Sequence, residues 1–203
     1  MISSYRTIAT TSDGLFKDRG SKFLSFAFPV KSDEEVKEIL QQLRKEYHDA
    51  RHHCYAWKLG VDPAAFRAND DGEPSSSAGK PILNQIEKRG LTDTLVVVVR
   101  YFGGTLLGVG GLINAYRTAA EAALKNNRVV RKKIQCSYHL EFGYPDMNTV
   151  MGLVKEMELD MVYQAFGLNC SMTVRVDIER ETLLLSRLQL IETCRYSKAA
   201  DDL

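Results

Sequence analysis

Four consecutive valines, Val96–Val99, constrain the fold of this chain more than any other feature. They lie within the segment Thr94–Phe102, in which polar and apolar residues do not alternate. β-Branched residues favour strands, and a strand without polar positions is typical of one that is buried on both faces. The segment therefore predicts a central strand with structure packed on either side. The apolar run Leu95–Val99 is far too short to span a bilayer.

The first half of the chain predicts strands that alternate with helices. Apolar residues at spacings of three and four predict helices over 33–47, 78–89 and 112–126. The other predicted strands are Tyr5–Thr10, Lys22–Phe28 and His53–Leu59. Asp13-Gly14 is typical of a turn between the first two strands, and the polar stretch Val61–Ser77 predicts a loop.

A polar stretch near Asn126–Lys133 predicts a domain boundary, with domains at 1–131 and 132–203. Beyond it, the pattern predicts a strand, a helix, two strands and a helix, with room for a short strand near Cys194–Ser197. This order is that of a ferredoxin-like βαββαβ domain. The sequence therefore predicts an α+β protein of two domains.

The net charge of the whole chain gives no indication of a polyanionic partner. The 203 residues contain 27 Lys and Arg and 26 Asp and Glu, for a net charge of +1. No global excess of positive charge therefore attracts nucleic acid or an anionic membrane. The halves differ, because residues 1–131 hold 19 basic and 15 acidic side chains (+4) and residues 132–203 hold 8 and 11 (−3). The basic first half favours a polyanionic partner.

The cysteines and the N-terminus bear on the compartment. Cys54, Cys136, Cys170 and Cys194 include no C-x-x-C pair, which excludes a zinc ribbon and a thioredoxin-like motif. Met1–Lys17 has no apolar core of the kind that a secretory signal requires. We therefore expect a cytoplasmic protein with reduced thiols, no cofactor and no membrane contact.

Three clusters of residues could carry chemistry, and the first is Ala50-Arg51-His52-His53-Cys54. Neighbouring residues of a strand face opposite sides, so His52 and His53 cannot easily serve one site. One of these histidines and Cys54 could bind a metal. Alternatively, the cluster is the start of a strand, with one histidine in the core and the other on the surface. We expect no metal.

The second cluster is the loop Asn69–Pro81, which is rich in acidic residues, serine and glycine. It is not a Walker loop, because six residues rather than four separate Gly72 from Gly79. The loop leads into a helix whose free backbone N–H groups could hold an anion, with Lys80 adding charge. The acids of this loop either hold Mg²⁺ or cap the loop. They are Asp70, Asp71 and Glu73.

The third cluster is Arg100–Leu112, where the buried strand runs into a glycine-rich loop and then into a helix. This arrangement is typical of an anion cradle. It is not the dinucleotide-binding fingerprint, because Ile113 stands where the third glycine belongs. Leu106, Leu107 and Val109 equally favour packing or a protein contact.

These three clusters, in this order, resemble the Impact family in its bacterial, YigZ-type form. The resemblance spans residues 20–125 approximately. The matching strings are Ala50–Cys54, Asn69–Pro74 with Ala78–Pro81, and Val98–Gly104 with Leu107–Leu112 and Ala115-Tyr116.

The resemblance implies a fold and a function. The first domain is expected to be an α/β sandwich similar to a ribosomal-protein domain and to domain IV of elongation factor G. The second is expected to be similar to the ferredoxin-like domain V of that factor. Eukaryotic relatives regulate translation during amino-acid starvation, partly through an extra N-terminal domain that we do not expect in this chain.

The leading hypothesis is therefore a non-enzymatic regulator of translation that binds RNA, the ribosome or a translation factor. Arg100 and other cations would contact phosphates, and Tyr101 or Phe102 would stack on bases. The candidate binding residues are Arg51, His52, Asn69, Asp70, Asp71, Glu73, Ser75, Gly79, Lys80, Arg100, Tyr101, Phe102, Gly103, Gly104, Gly108, Gly110, Gly111 and Arg117.

Two alternatives remain open from the residues. The loop Asp70–Lys80 could serve a hydrolase or an enzyme with a phosphate-bearing ligand, with Ser75 or Ser77 as the nucleophile and Lys80 or a distant lysine as the base. The apolar glycine loop could instead belong to a protein-interaction module.

Overall fold

The computed structural model describes residues 2–167 and 169–199, which form two compact units. One unit is Tyr5–Lys132, and the other starts at Lys133 and includes the short segment before Tyr5. Both units combine helices with antiparallel sheet, and the predicted α+β class with two domains is confirmed. Within the described residues, no helix is long and apolar enough to cross a bilayer.

The first unit is built on a five-stranded antiparallel sheet in the order β2-β3-β6-β4-β5. A separate two-stranded sheet pairs β1 with β7. The strands are β1 Ser4–Ile8, β2 Ser12–Asp18, β3 Ser21–Pro29, β4 His52–Leu59, β5 Ala65–Asn69, β6 Thr94–Tyr101 and β7 Val129–Lys133. The helices are α1 Asp33–Glu46, α2 Gly79–Lys88 and α3 Gly108–Lys125.

Helices cover both faces of the central strand β6, as the valine run predicts. Leu95, Val97 and Val99 lie in the core that includes Val36 and Leu43 of α1. Val96 and Val98 alternate with them and lie in the core that includes side chains of α2 and α3. The strand is buried from Thr94 to Arg100 because each face has its own helical layer.

The predicted turn at Asp13-Gly14 is wrong, since both residues lie inside β2. The chain turns instead at Arg19-Gly20, where both residues have positive φ, 43° and 79°. Gly14 has a packing role, because a Cβ there would lie 2.6 Å from the backbone nitrogen of Ala123 in α3.

Two further boundaries differ from the prediction. The segment 61–77 contains the edge strand β5, whose residues are mostly exposed and which pairs only with β4. Helix α3 starts at Gly108, four residues before the predicted start. Glycine disfavours helix, so the sequence pattern hides this first turn, while the buried Leu107 anchors it against the core.

The second unit has the predicted βαββαβ order, with a four-stranded antiparallel sheet arranged β11-β8-β10-β9. Its strands are β8 Gln135–Gly143, β9 Asp160–Ala165, β10 Asn169–Asp177 and β11 Arg195–Lys198, and its helices are α4 Met147–Glu156 and α5 Glu181–Leu188. Alternate residues of β8 and β10, such as Leu140 and Met172, join Val150 and Leu184 in one core. The unit therefore has a hydrophobic core of its own.

Candidate functional site

The three predicted clusters meet at one end of the five-stranded sheet. There β6 ends at Tyr101, and His52 at the start of β4 lies opposite Arg100. On the other side of β6, Lys22 of β3 lies opposite Tyr101. Helices α2 and α3 both begin at this end. We call it the loop end, formed by residues 19–22, 51–52, 69–80 and 100–111.

Asp70 holds the second cluster in shape. Its Oδ1 accepts hydrogen bonds from the backbone N–H groups of Ala78 (3.0 Å) and Gly79 (2.8 Å). Its Oδ2 accepts one from the N–H of Ser76 at 2.8 Å. The carboxylate thus caps the start of α2 from a distance in sequence and neutralises the N–H groups that an anion would use.

Asp71 joins this loop to β4 and α1. Its Oδ2 accepts the backbone N–H of His53 at 2.6 Å, and its Oδ1 pairs with Arg44 at 2.8 Å. Its carbonyl oxygen lies 2.8 Å from Nδ1 of His52. Both carboxylate oxygens therefore have partners from the protein, and the residue acts as a connector between elements.

Glu73 forms a buried ion pair with Arg100. Its Oε1 lies 2.6 Å from Nη1 of Arg100 and accepts the Tyr116 hydroxyl at 2.7 Å. The two charged side chains are 4% and 7% exposed, so solvent does not screen the pair. Burial raises the pKa of the neighbouring Cys54 thiol and of the Tyr116 hydroxyl. Cys54 is therefore a thiol, without the thiolate character that a nucleophile needs.

These partners decide between the two interpretations of the acidic loop. Asp70, Asp71 and Glu73 each satisfy donors of the protein. Throughout residues 2–167 and 169–199, no group of three or more His, Cys, Asp or Glu is arranged to hold a metal ion. The geometry supports the loop-capping interpretation for the acids.

The serines of this loop differ in access. The Ser77 hydroxyl is buried and donates to the carbonyl oxygen of Pro74 at 2.6 Å. A buried hydroxyl that donates to a carbonyl oxygen is neither accessible nor activated in this arrangement, so the structure gives no support to Ser77 as the nucleophile of the enzyme hypothesis. Ser75 is exposed, as is Lys80. Among the described residues no hydrogen bond joins these two side chains.

The cations at the loop end fall into two groups. Arg44 and Arg100 are paired with acids. Arg51 and Lys80 are exposed, and so are two cations that the sequence analysis missed, Arg19 and Lys22. Within the part of the chain that the structure describes, none of these four exposed side chains forms an ion pair. The register of β3 with β6 is what reveals that Arg19 and Lys22 lie near the site.

The two aromatic candidates have different environments. The Tyr101 hydroxyl donates to Asp49 at 2.7 Å, and this hydrogen bond raises the pKa of Tyr101 to about 12. Phe102 is 53% exposed, and its ring centroid lies 5.7 Å from the guanidinium carbon of Arg100. Of these two residues, Phe102 is the one whose ring is exposed to solvent while it also contacts the buried Arg100 side chain.

Two glycines of the site are required by close packing. A Cβ on Gly79 would lie 2.5 Å from the Asn69 nitrogen, and one on Gly103 would lie 1.9 Å from the carbonyl carbon of Gly20. Gly110, by contrast, has open space around it and no positive φ. The remaining glycine candidates are Gly104 and Gly108, which have positive φ, and Gly111, which packs beside Leu107.

The exposed surface after β6 is apolar. Leu106 is 81% exposed, and Val109 and Ile113 of α3 are also exposed. Arg117 continues the stripe on α3 at a spacing of four residues, and its guanidinium donates to the Asn114 side chain. Arg117 therefore lies two turns along α3, away from the other candidate residues.

A cleft with a volume of about 270 Å³ lies in the unit that starts at Lys133. Its charged groups neutralise each other in part, since Lys133 pairs with Asp177 and Gln135 donates to Asp177. The Arg180 guanidinium donates to the Met157 carbonyl oxygen. The sequence clusters do not map to this cleft.

The fold and the site define a two-unit α+β protein whose first unit presents an exposed loop end with internally satisfied acids, exposed cations and an exposed phenylalanine. The model of the Impact N-terminal domain matches residues 19–124, which include this whole end. YvyE of Bacillus subtilis, named as an IMPACT family member, is 33% identical over 90% of this chain and 83% of its own length. YigZ of Escherichia coli, named likewise, is 37% identical over 73% of this chain and 75% of its own.

The chain belongs to the Impact family. A crystal structure described as that of a hypothetical protein matches the whole chain with a TM-score of 0.74 and 26% identity. A structure described as that of the two-domain translational regulator Yih1 is 30% identical and covers 60% of this chain and 47% of its own chain, and its TM-score is 0.36. Relatives with YigZ-type names thus agree with the resemblance that the three clusters carry.

Proposed function

We propose that this protein is a translation-associated regulator that acts by binding RNA, free or in the ribosome, through the loop end of its first unit. Membership of the Impact family supports the association with translation, because the family resemblance implies relatives that regulate translation. The observation that supports RNA as the partner is electrostatic. Arg19, Lys22, Arg51 and Lys80 are exposed at this end, whereas Asp70, Asp71 and Glu73 are engaged by the protein.

The pairing of these acids with protein groups favours phosphate binding, because phosphate binding depends on the local charge of the surface rather than on the total charge of the chain. Asp71 and Glu73 are paired with Arg44 and Arg100, so these pairs add little net charge to the surface. The exposed cations are then left to face solvent without acidic partners among the described residues. Such a surface attracts a polyanion even though the chain as a whole is nearly neutral.

The positions of the candidate nucleophiles also favour a binding role over catalysis. The Ser77 hydroxyl is buried and donates to a backbone carbonyl, and the exposed Ser75 forms no hydrogen bond with Lys80 among the described residues. A nucleophile must be accessible and activated by a neighbouring base, and neither residue meets both requirements.

Sedimentation of the protein with ribosomes and with total RNA, at about 50 and about 200 mM salt, tests the proposal. We expect the protein to sediment with RNA or ribosomes at the lower salt and to be released at the higher salt. The substitutions Arg51→Gln and Lys80→Gln should weaken the association, whereas Arg67→Gln, at an exposed cation on the edge strand β5, serves as the matched control. Absence of association at the lower salt would contradict RNA binding.

A second candidate function is a protein contact, and the exposed Leu106 favours it. Leu106, Val109 and Ile113 together form an apolar surface next to the cations. A translation-factor protein captured by the wild type should be lost with Leu106→Asp and retained with Phe66→Asp, which alters an exposed phenylalanine on β5. Capture of the same translation factor by both variants would exclude this surface.

A further inference from the structure

We infer that the loop end binds an unpaired, single-stranded segment of RNA, with one base stacked on Phe102 and the adjacent phosphates near Arg19 and Lys22. This inference rests on the proposed function and specifies the form of RNA and the residues that select it.

A stack of three side chains makes Phe102 a firm surface for a base. The Arg100 guanidinium carbon lies 5.5 Å from the Phe23 centroid and 5.7 Å from the Phe102 centroid. Phe23 is fully buried, and the ion pair with Glu73 holds the guanidinium in place. A ring supported from below loses little freedom when a planar ligand stacks on its exposed side.

The chain segment that carries two exposed cations, Arg19 and Lys22, packs against the loop that follows Phe102. The Gly103 N–H donates to the Ser21 hydroxyl at 3.1 Å, and the absence of a Cβ lets Gly103 lie against Gly20. The turn that carries Arg19 and the strand residue Lys22 therefore lie beside the chain segment that follows Phe102. Both cations are exposed, Arg19 in the turn and Lys22 on the opposite face of β3 from Phe23, so they can contact phosphates on different sides of a stacked base.

An exposed aromatic ring selects unpaired RNA over a duplex. Bases in a duplex are stacked on each other and cannot reach a ring on a protein surface without unpairing. Single-stranded bases can stack on aromatic side chains, and each such contact contributes about 1–3 kcal/mol. The preference for single strands therefore depends on Phe102, while the cations contribute to the binding of any RNA.

Fluorescence anisotropy with a labelled 12-nucleotide oligouridine and a 12-base-pair RNA duplex tests the inference in about 50 mM salt. We expect tighter binding of the single strand, and Phe102→Ala should weaken it by about 5- to 150-fold. Phe102→Tyr should retain the affinity, because it keeps the aromatic face. Phe66→Ala, at a phenylalanine that is 62% exposed two strands away from β6, should leave the affinity unchanged.

Variants that remove a positive charge test whether Arg19 and Lys22 contact the phosphates. Arg19→Gln and Lys22→Gln should each lower the affinity and reduce the salt dependence by about 0.7 in the log–log slope. Arg67→Gln is the matched control for loss of an exposed cation. Circular dichroism of each variant establishes that the fold is retained.

Two results overturn the inference. One is an affinity for oligouridine that does not change with Phe102→Ala in the folded variant. The other is binding of the duplex at least as tight as that of the single strand. If oligouridine does not bind but the protein still sediments with ribosomes, the inference fails and the proposed function stands. If neither RNA nor ribosomes bind, both fail, and capture of a protein partner that depends on Phe102 would assign the ring to a protein interface.

Discussion

Asp70 shows how a residue that resembles a ligand serves the fold instead. Its carboxylate accepts three backbone N–H groups, from Ser76, Ala78 and Gly79. These donors lie six to nine residues further along the chain, so no local motif reveals the contacts. The Asp70 side chain thus joins the start of the acidic loop to the beginning of α2.

Replacement of this carboxylate should destabilise the protein. In Asp70→Asn, the amide oxygen can accept only part of the three hydrogen bonds, and the NH₂ group faces a backbone donor. We expect the free energy of unfolding to fall by about 1–3 kcal/mol, measured by urea denaturation. Glu87→Gln, at an exposed position of α2, should stay within about 0.5 kcal/mol of the wild type. Equal effects of both substitutions would contradict the capping role.

His53 should make stability depend on pH. Burial, followed by the nearby Arg44, lowers the pKa of its imidazole below the ordinary value, whereas Asp71 opposes this shift. The unfolded chain then binds a proton more readily than the folded one, so the stabilisation is present above about pH 6.5 and is lost as the pH falls. The urea midpoint should be lower at pH 5.5 than at pH 7.5, and His53→Phe should reduce this difference. An equal difference in the variant would assign the pH effect to other groups.

At the scale of elements, α2 and α3 begin at the same end of the sheet, but their N-termini are capped differently. The first N–H groups of α2 are used by Asp70. Helix α3 follows Leu107, which supplies no side-chain cap, and its first turn is exposed and rich in glycine. A helix start of this kind keeps its backbone accessible to a partner.

Replacement of a glycine by alanine should therefore have opposite effects on the free energy of unfolding in the two helices. A Cβ on Gly79 meets the backbone of Asn69 at 2.5 Å, so Gly79→Ala should lower the free energy of unfolding by about 1–3 kcal/mol or more. Gly110 lies in a helix with open space around it, and Gly110→Ala should raise the free energy of unfolding by about 0.5–1 kcal/mol. Thermal unfolding of both variants measures the difference. A destabilised Gly110→Ala would show an unrecognised packing role.

The elements that the sequence predicts well have patterns that are local. The valines of β6 and the apolar spacing of α1 each indicate their structure within a few residues. Strand β5 was missed because its residues are mostly exposed and only pairing with β4 defines it. The three clusters could be found from the sequence, but their internal contacts could not, since the ion pair of Arg100 with Glu73 joins residues 27 positions apart. Arg19 and Lys22 carried no signal, because no motif includes them.

At the scale of the whole molecule, the charges follow the two units. Residues 5–132 hold 20 basic and 15 acidic side chains (+5), and the rest of the chain holds 7 and 11 (−4). The near-neutral total thus conceals a basic part that carries the loop end and an acidic part that carries the βαββαβ unit. Since RNA binding responds to charge within about one Debye length, the parts should differ in affinity although the sum is close to zero.

Separate fragments should reveal this difference. The fragment 1–133 keeps the strands β1 to β7 and the three helices that form two of the hydrophobic cores, so we expect it to fold with a cooperative unfolding transition. It should bind oligouridine at least as tightly as the full chain, because the acidic part no longer repels the phosphates, whereas the fragment 134–203 should not bind. Anisotropy at about 50 mM salt measures both. Binding by the second fragment with an affinity equal to that of the full chain would place the RNA site outside the loop end, since that fragment lacks Phe102 and every exposed cation on which the proposal depends.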